Sequence, residues 1–156
     1  MSVVAWRIVK QKHAKDAFSG EGARRYGGRW NSKGTAVVYT AQSQSLAALE
    51  IMVHAEFPEL LEHYVAIPVA IEESLIDKVN VSKLPKDWRA YPASRAVRAF
   101  GDDWVASGAS VVLQVPSVVI PSESNFLLNP AHRDFAKLEI GEATAFEFDP
   151  RFRGKP

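Results

Sequence analysis

The chain has 156 residues, a length that fits one domain with a buried core, since domains typically have roughly 100–200 residues. Its formal net charge of +1 excludes the strongly basic field with which many proteins attract nucleic acid or anionic membranes. The absence of cysteine excludes disulfides and thiolate metal sites, and it is compatible with a reducing cytoplasm.

No segment of the sequence predicts export or membrane insertion. Residues 1–7 lack a charged region followed by an apolar run, so we predict no signal peptide. No apolar stretch approaches the ~18 residues that a membrane span requires. We therefore expect a single domain over residues 1–156, located in the cytoplasm.

The first predicted element is a strand over residues 3–9, an apolar run that contains one arginine, Arg7. The polar residues 10–16 predict a turn of helix. Farther along, the turn signal at residues 31–34 precedes a β-branched run, so residues 29–40 predict a hairpin.

Residues 20–31 combine four glycines, three arginines and two aromatic residues, a mixture that no regular element favours. Glycines let a ligand approach the backbone, arginines offer planar donors suited to phosphate, and aromatic rings offer stacking faces. The segment predicts a loop for an anionic and aromatic ligand such as a nucleotide. The alternative is a tight turn at Gly27 and Gly28 with solvated arginines, and the spacing matches neither a P-loop nor G-x-G-x-x-G.

A helix is predicted to end near residue 56, with Leu46, Leu49 and Val53 as its apolar stripe. Glu50 follows Leu46 by four residues and falls inside this stripe. An ionised carboxylate there is costly unless it is hydrogen-bonded or has a function. The alternative is that Glu50 reaches the edge of the stripe or pairs with an arginine.

The rest of the chain predicts short strands and a broken helical region. The helical region covers residues 84–107, with one helix near 95–100 and a short turn at 102–105, after a loop at 72–84. Further strands are predicted at residues 64–71, at 110–115 with an extension at 118–121, and at 124–130, 138–140 and 144–149, before a frayed tail at 150–156. Because strands and helices do not alternate regularly, we predict an α+β fold with a mixed or antiparallel sheet, and not a Rossmann domain.

The four histidines, at positions 13, 54, 63 and 132, do not cluster in the sequence. No second histidine, cysteine or aspartate lies at ligand spacing from His54, so we predict no metal site. Scattered histidines and the low net charge also disfavour a ribonuclease.

Several short blocks, in order along nearly the whole chain, resemble the RES-domain toxins of bacterial RES–Xre toxin–antitoxin pairs. The matching blocks are Gly27-Gly28-Arg29-Trp30-Asn31, Tyr39, Ala48-Leu49-Glu50 with His54, Val115-Pro116-Ser117-Val118-Val119-Ile120-Pro121, Asn125, Asn129-Pro130 and Phe148-Asp149-Pro150-Arg151. Each block alone is weak evidence for the family, whereas the whole set in this order is specific for it.

The resemblance implies a fold similar to that of ADP-ribosyltransferase toxins and an enzyme that breaks down NAD⁺. The family is named after an arginine, a glutamate and a serine. Glu50 and Ser117 match the last two, and Arg25 is the first choice for the arginine, with Arg29 second. For substrate binding, the resemblance implies phosphate contacts from Arg25 and Arg29 and walls beside the nicotinamide ribose from Tyr26 and Tyr39. Asn31 and Asn125 are further expected substrate contacts.

The resemblance also implies how the reaction proceeds and which partners the protein has. NAD⁺ would be the substrate and not a bound cofactor, and inorganic phosphate would be the second substrate if the cleavage is phosphorolysis and not hydrolysis. The carboxylate of Glu50 would stabilise the cationic ribose as neutral nicotinamide leaves, with Ser117 as an orienting group. A helix-turn-helix antitoxin of the Xre type would block the active site, and the chain itself would bind neither nucleic acid nor membrane.

Two alternatives remain open at this stage. The first is transfer of ADP-ribose to a protein side chain, which the residues do not separate from NAD⁺ breakdown. The second is a non-enzymatic nucleotide-binding module, although a pure binder would not require Glu50 on an apolar helix face.

Overall fold

The computed structural model describes residues 1–54 and 61–153, in which it contains eight strands and three α-helices. The strands are β1 (Ser2–Lys10), β2 (Val38–Ala41), β3 (Tyr64–Glu72), β4 (Ile76–Lys78), β5 (Val112–Pro116), β6 (Ser124–Leu128), β7 (Glu139–Ile140) and β8 (Thr144–Phe146). The helices are α1 (Glu21–Tyr26), α2 (Gln44–His54) and α3 (Arg95–Ser107).

All eight strands belong to one sheet, in the order β4-β5-β6-β2-β1-β3-β7, and β8 pairs with β3 beside β7. The pair β4–β5 is parallel, and the other pairs are antiparallel. The prediction of an α+β fold with a mixed sheet is therefore confirmed. Strands β1 and β3 pair along their whole lengths, from Ser2 opposite Glu72 to Lys10 opposite Tyr64, and form the longest ladder.

Helices α2 and α3 both cover the face of the sheet on which Tyr39 and Ala41 lie. Leu46 and Ala47 of α2 pack with Ala41, and Val97 and Trp104 of α3 belong to a second cluster that contains Tyr39. Cross-strand partners share a face of the sheet. Asn125 pairs with Ala41 and therefore lies on this helix-covered face.

Residues 95–107 form one continuous helix, α3, and not the predicted helix near residues 95–100 followed by a separate turn. The hydroxyl oxygen of Ser94 caps its first turn by accepting from the amide of Val97, and Gly108, at φ +63°, ends it. A glycine inside a helix normally weakens it. Here Gly101 is required, because a Cβ at this position would lie 1.6 Å from the carbonyl oxygen of Trp30.

The glycine-rich segment also differs from its prediction. Residues 20–31 are not one irregular loop, because α1 forms within them between Gly20 and Gly27, both at φ +75°. Such a φ suits glycine, so the two glycines can start and stop a short helix. The predicted hairpin over residues 29–40 is wrong, since β2 pairs with β1 and β6 and only an isolated bridge joins Gly28 and Asn31.

Two smaller differences between prediction and structure concern the extent of the strands. The predicted loop at 72–84 contains β4, and the predicted extension at 118–121 forms no strand. The predicted helix end at residue 56 and the last residues of the tail lie outside the described residues. Within the described ranges, no helix combines the length and apolar character needed to cross a membrane.

Candidate active site

One large cavity opens on the helix-covered face of the sheet and is called the main cavity below. It has a volume of about 1210 Å³ and is lined from β1, α1, the residues after α1, β2, α2, β6 and two later loops. Ligand sites typically have volumes of about 300–1,000 Å³, so the main cavity can accommodate a dinucleotide. Glu50 is the only carboxylate among its described lining residues.

Glu50 reaches the main cavity because it shares the inward face of α2 with Leu46, one helical turn earlier. The predicted apolar stripe is corrected here, because Leu49 is 39% and Val53 is 59% exposed, whereas Leu46 is fully buried. Glu50 therefore lies on the buried face for the expected reason, the i, i+4 spacing. Of the residues predicted to accompany it, Leu46 is buried, Leu49 does not line the main cavity, and Val53 lines the cavity from an exposed position.

Both carboxylate oxygens of Glu50 accept hydrogen bonds. Asn125 Nδ2 donates to Oε1 at 2.9 Å, and Ser117 Oγ donates to Oε2 at 3.2 Å. The same Asn125 nitrogen also donates to the carbonyl of Thr40 at 3.2 Å, which fixes the amide in place. These contacts hold Glu50 in one orientation at the cavity wall.

Ser117 is fully buried, and its hydrogen bonds determine the direction of its hydroxyl. Its Oγ accepts from the amides of Val119 and Ile120, each at 3.2 Å. A serine hydroxyl has a single hydrogen. Because the oxygen is engaged as an acceptor by two amides, that hydrogen is directed to Glu50.

The pKa of Glu50 is raised above the ordinary glutamate value. Burial is the largest cause, since it disfavours the charged form, and the negative charge of Glu123 adds to it. The hydrogen bonds from Asn125 and Ser117 act in the opposite direction by stabilising the carboxylate. The site thus places a carboxyl group in a partly desolvated wall, where two neutral donors favour its charged form.

Arg7 contributes a buried guanidinium to the main cavity. Its Nε donates to the carbonyl of Ala17, and its Nη1 donates to the carbonyl of Tyr39 at 3.0 Å. Burial lowers the pKa of Arg7 to about 10, partly offset by Asp16, so the group stays cationic at neutral pH. A positive charge is therefore fixed in the wall of the cavity that contains Glu50.

Arg29 also lines the main cavity and connects it to a later segment of the chain. Its Nη1 donates to the carbonyls of Trp88 at 3.1 Å and Ala90 at 2.8 Å. Arg89, from the same segment, lines the cavity and donates through Nε to the carbonyl of Val118 at 3.1 Å. The residues around 88–91 are thereby attached to both sides of the cavity.

Arg25, the first choice for the essential arginine, does not line the main cavity. Its side chain is 63% exposed and forms an ion pair with Glu21, with an Nε–Oε1 distance of 3.0 Å. Hydrogen bonds from Arg24 and Arg25 lower the pKa of Glu21 to about 2. The helical i, i+4 spacing directs Arg25 to Glu21, so Arg29 is the better candidate.

Tyr39 lines the main cavity, whereas Asn31 lies behind it. Burial raises the pKa of the Tyr39 hydroxyl, which donates to Asn31 Oδ1 at 2.5 Å and accepts from the amide of Trp30 at 3.0 Å. Asn31 is fully buried, and its Nδ2 donates to backbone carbonyls, including that of Ala23 at 2.8 Å. The prediction that Asn31 contacts substrate is corrected to a supporting contact with Tyr39.

Two exposed aromatic rings stand at the rim of the main cavity. Tyr26 is 77% and Tyr91 is 78% exposed, and both line the cavity. The ring of Tyr91 lies 6.2 Å from that of His54, between ring centroids. Exposed rings beside cations suit a ligand that has flat bases and phosphates.

Sequence reasoning missed Arg7, Arg89 and Tyr91 as cavity residues. The signal for Arg7 was present, because an arginine inside an otherwise apolar strand requires a partner or a function. Arg89 and Tyr91 lie in an irregular segment whose position no local pattern indicates. Among the described residues, no group of three or more His, Cys, Asp or Glu side chains could hold a metal ion.

Comparison with known proteins places the chain among relatives of similar length. The profile of the RES domain matches residues 4–149. A protein of Yersinia enterocolitica named Toxin Res is 38% identical over 152 residues, which cover 97% of this chain and all of that protein. A Sphingobium protein named Prs ADP-ribosylating toxin is 36% identical over 156 residues, with 97% of each chain covered.

A solved structure shows the same fold. A chain in the crystal structure of the M. tuberculosis MbcT–MbcA toxin–antitoxin complex superposes with a TM-score of 0.75, covers 94% of this chain and 85% of its own, and is 20% identical. The profile covers most of the chain, and the sequence relatives match it nearly end to end. This protein therefore belongs to the RES-domain family.

Proposed function

We propose that this chain is a toxin that cleaves the bond between nicotinamide and ribose in NAD⁺. The proposal rests on one observation: among its described lining residues, the main cavity combines a single carboxylate, fixed by two neutral donors, with the guanidinium groups of Arg7, Arg29 and Arg89. NAD⁺ has a cationic nicotinamide ribose at one end and two anionic phosphates in its centre. A cavity with one anion and several cations complements both parts.

Glu50 would act electrostatically. As the bond between the ribose C1′ and the nicotinamide nitrogen breaks, the electron pair leaves with neutral nicotinamide and the ribose becomes cationic. An anion oriented in advance stabilises such a charge without a general acid. A carboxylate has about four acceptor positions, and Ser117 and Asn125 occupy two, so others remain for the ribose hydroxyls.

The guanidinium groups would hold the pyrophosphate, while the aromatic residues confine the rings. Arg7 and Arg29 have some of their donors bound to backbone carbonyls, which fixes their position before a ligand arrives. Tyr39 would form a wall beside the ribose, and Tyr26 offers an exposed face at the rim. An oxygen of water, which loses a proton to the solvent, or an oxygen of inorganic phosphate would then bond to C1′, giving hydrolysis or phosphorolysis.

The second candidate is transfer of ADP-ribose to a protein. The name of the Sphingobium relative, an ADP-ribosylating toxin, favours it. The two reactions share the cleavage step and differ only in the acceptor, so the same cavity supports both. A non-enzymatic nucleotide-binding module is less well supported, because it gives no reason to retain the partly desolvated Glu50.

The structural relative from a toxin–antitoxin complex supports a cognate antitoxin as partner. We expect a helix-turn-helix antitoxin of the Xre type that covers the main cavity in the cytoplasm. DNA binding would then belong to the antitoxin, with no direct contact of this chain with nucleic acid or membrane.

The test is release of nicotinamide from NAD⁺ by the purified protein. We expect turnover in the wild type and a decrease of about 10²–10³-fold in Glu50→Gln, the typical effect of removing one electrostatic stabiliser. Glu142→Gln, which changes an exposed carboxylate outside the cavity, is the matched control. Absence of nicotinamide release by wild-type protein, or full activity of Glu50→Gln, would refute the proposal.

A further inference from the structure

A second cavity, called the side cavity below, adjoins the main cavity and is not used by the proposed cleavage. Its volume is about 840 Å³. The two cavities share part of their walls, formed by Tyr26, Gly27, Gly28, Arg29, His54 and Tyr91. The side cavity extends from there towards the start of α3, where Arg98 lines it, and towards Lys33.

The permanent charges among the described lining residues of the side cavity all have the same sign. Three permanent cations line it, Arg29, Lys33 and Arg98, and no carboxylate is among its described lining residues. The described residues also form no ion pair with any of these three cations. Like charges gathered around one space repel each other, and an anion between them removes this repulsion.

An acidic side chain of α3, Asp102, lies outside the lining of the side cavity and is engaged elsewhere. Asp102 of α3 accepts from the amide of Ser32 at 2.8 Å and does not line the side cavity. This bond holds residues 31–33 against α3, so Lys33 and Arg98 border the same space although they are 65 positions apart in the chain. Among the described lining residues, none therefore offers a carboxylate to Arg29, Lys33 or Arg98.

The cations differ in how they are held. Arg98 Nη1 donates to the carbonyl of Ala93, and Arg29 Nη1 donates to the carbonyls of Trp88 and Ala90, so both guanidiniums are positioned by backbone contacts. Lys33 is exposed. Two oriented guanidinium groups with one adaptable ammonium group suit a tetrahedral oxyanion, which accepts hydrogen bonds in several directions.

We propose that the side cavity is a binding site for a phosphate group, held by Lys33 and Arg98 with Arg29 at the wall shared with the main cavity. Two sources offer this chemistry. Free inorganic phosphate would bind there as a separate molecule, whereas a phosphate of the dinucleotide would extend into the side cavity from the main cavity. Which reaction the phosphate serves rests on the proposed function, whereas its binding does not.

The test is calorimetric titration of the purified full-length chain with inorganic phosphate and, separately, with ADP-ribose, in a buffer free of other phosphate. The variant is Lys33→Met combined with Arg98→Met, and the control is Lys78→Met combined with Arg133→Met. The control removes two exposed cations that line neither cavity. Lys33→Met alone is included, because its exposed side chain makes it the safer change for folding.

We expect the side-cavity variant to bind inorganic phosphate or ADP-ribose at least about tenfold more weakly than the control, the effect of losing charge-assisted hydrogen bonds. Weaker phosphate binding with unchanged ADP-ribose binding identifies free phosphate as the ligand. Weaker ADP-ribose binding identifies a phosphate of the nucleotide. Equal affinities of the side-cavity and control variants for both ligands overturn the proposal, and so does failure of the wild type to bind either.

These titrations require no turnover. Absence of nicotinamide release would therefore refute the proposed function and leave the phosphate site testable. Conversely, active protein whose affinities do not change on removal of Lys33 and Arg98 would refute the phosphate site and leave the proposed function intact.

Discussion

The hydrogen bonds around Ser117 leave its hydroxyl one role, that of a donor to Glu50. It accepts from two backbone amides and donates to Glu50. A serine nucleophile requires a base that takes its proton, and no histidine accepts from this hydroxyl in the described contacts. We therefore propose that Ser117 acts through Glu50 as a positioning residue.

This geometry predicts a shift in the pH dependence of turnover. The proposed role requires ionised Glu50, whose raised pKa places the acid-side loss of activity above the ordinary value of 4.5. The Ser117 bond lowers that pKa, so Ser117→Ala should raise it further and move the acid limb of kcat against pH to higher pH. Ser122→Ala, at an exposed serine nearby, is the control. An unmoved limb in Ser117→Ala would contradict the positioning role.

The arginines provide a second prediction at this scale. Arg25 is paired with Glu21 outside the main cavity, whereas Arg29 lines it. Arg29→Ala should reduce kcat/KM for NAD⁺ by about 10-fold or more, the effect of a lost charge-assisted contact. Arg25→Ala should remain within about twofold of wild type, since an exposed helical ion pair contributes little. Steady-state kinetics of both variants tests this prediction. A larger loss of kcat/KM in Arg25→Ala than in Arg29→Ala would identify Arg25 as the essential arginine.

At the scale of elements, α3 and the residues after α1 support each other through a close backbone contact. The main chain of Trp30 occupies the space that a side chain at position 101 would need. The ring of Trp30 packs edge-on against Phe100, with 6.0 Å between ring centroids. Arg29 and Tyr39 therefore depend on α3 for their position, although α3 contributes no residue to the lining of the main cavity.

This contact predicts a large effect of a small substitution. Gly101→Ala should destabilise the fold by about 3 kcal/mol, because the added methyl group overlaps backbone that cannot move independently. A protein of this size should then melt about 10 °C lower. Gly22→Ala is the control, since a Cβ there meets nothing within 4 Å. Equal melting temperatures of the two variants would show that α3 tolerates the methyl group.

At the scale of the whole molecule, the strand order assembles the site. Glu50 lies 67 positions before Ser117 and 75 before Asn125. Strand β6 pairs with β2, which brings Asn125 opposite Ala41, and α2 begins three residues after Ala41. The long separation in sequence therefore becomes a short distance between β6 and α2.

The complete site predicts a cellular effect. Expression without an antitoxin should arrest growth, with cellular NAD⁺ falling before membrane integrity is lost. Glu50→Gln, expressed at the same level, should restore both growth and the NAD⁺ pool. Metabolite extraction during arrest measures this directly. An unchanged NAD⁺ pool in arrested cells would favour the protein-modifying alternative.

The sequence by itself determined the features that depend on local spacing and burial. The i, i+4 relation to Leu46 placed Glu50 on the inward face of α2. The β-branched run before Ala41 predicted a strand, and its second half forms most of β2, although the hairpin predicted around it is wrong. The ordered motifs identified Ser117 and Asn125 as site residues, and the structure places both on Glu50.

Only the tertiary structure decided which cations share a cavity with Glu50. Arg25 has the more suggestive local context, yet the α1 geometry directs it to Glu21. Arg7 and Arg89 enter through contacts with the distant carbonyls of Tyr39 and Val118, which no local pattern encodes. The physical reason is that periodicity sets the face on which a side chain lies, whereas strand order and close backbone packing set what that face meets.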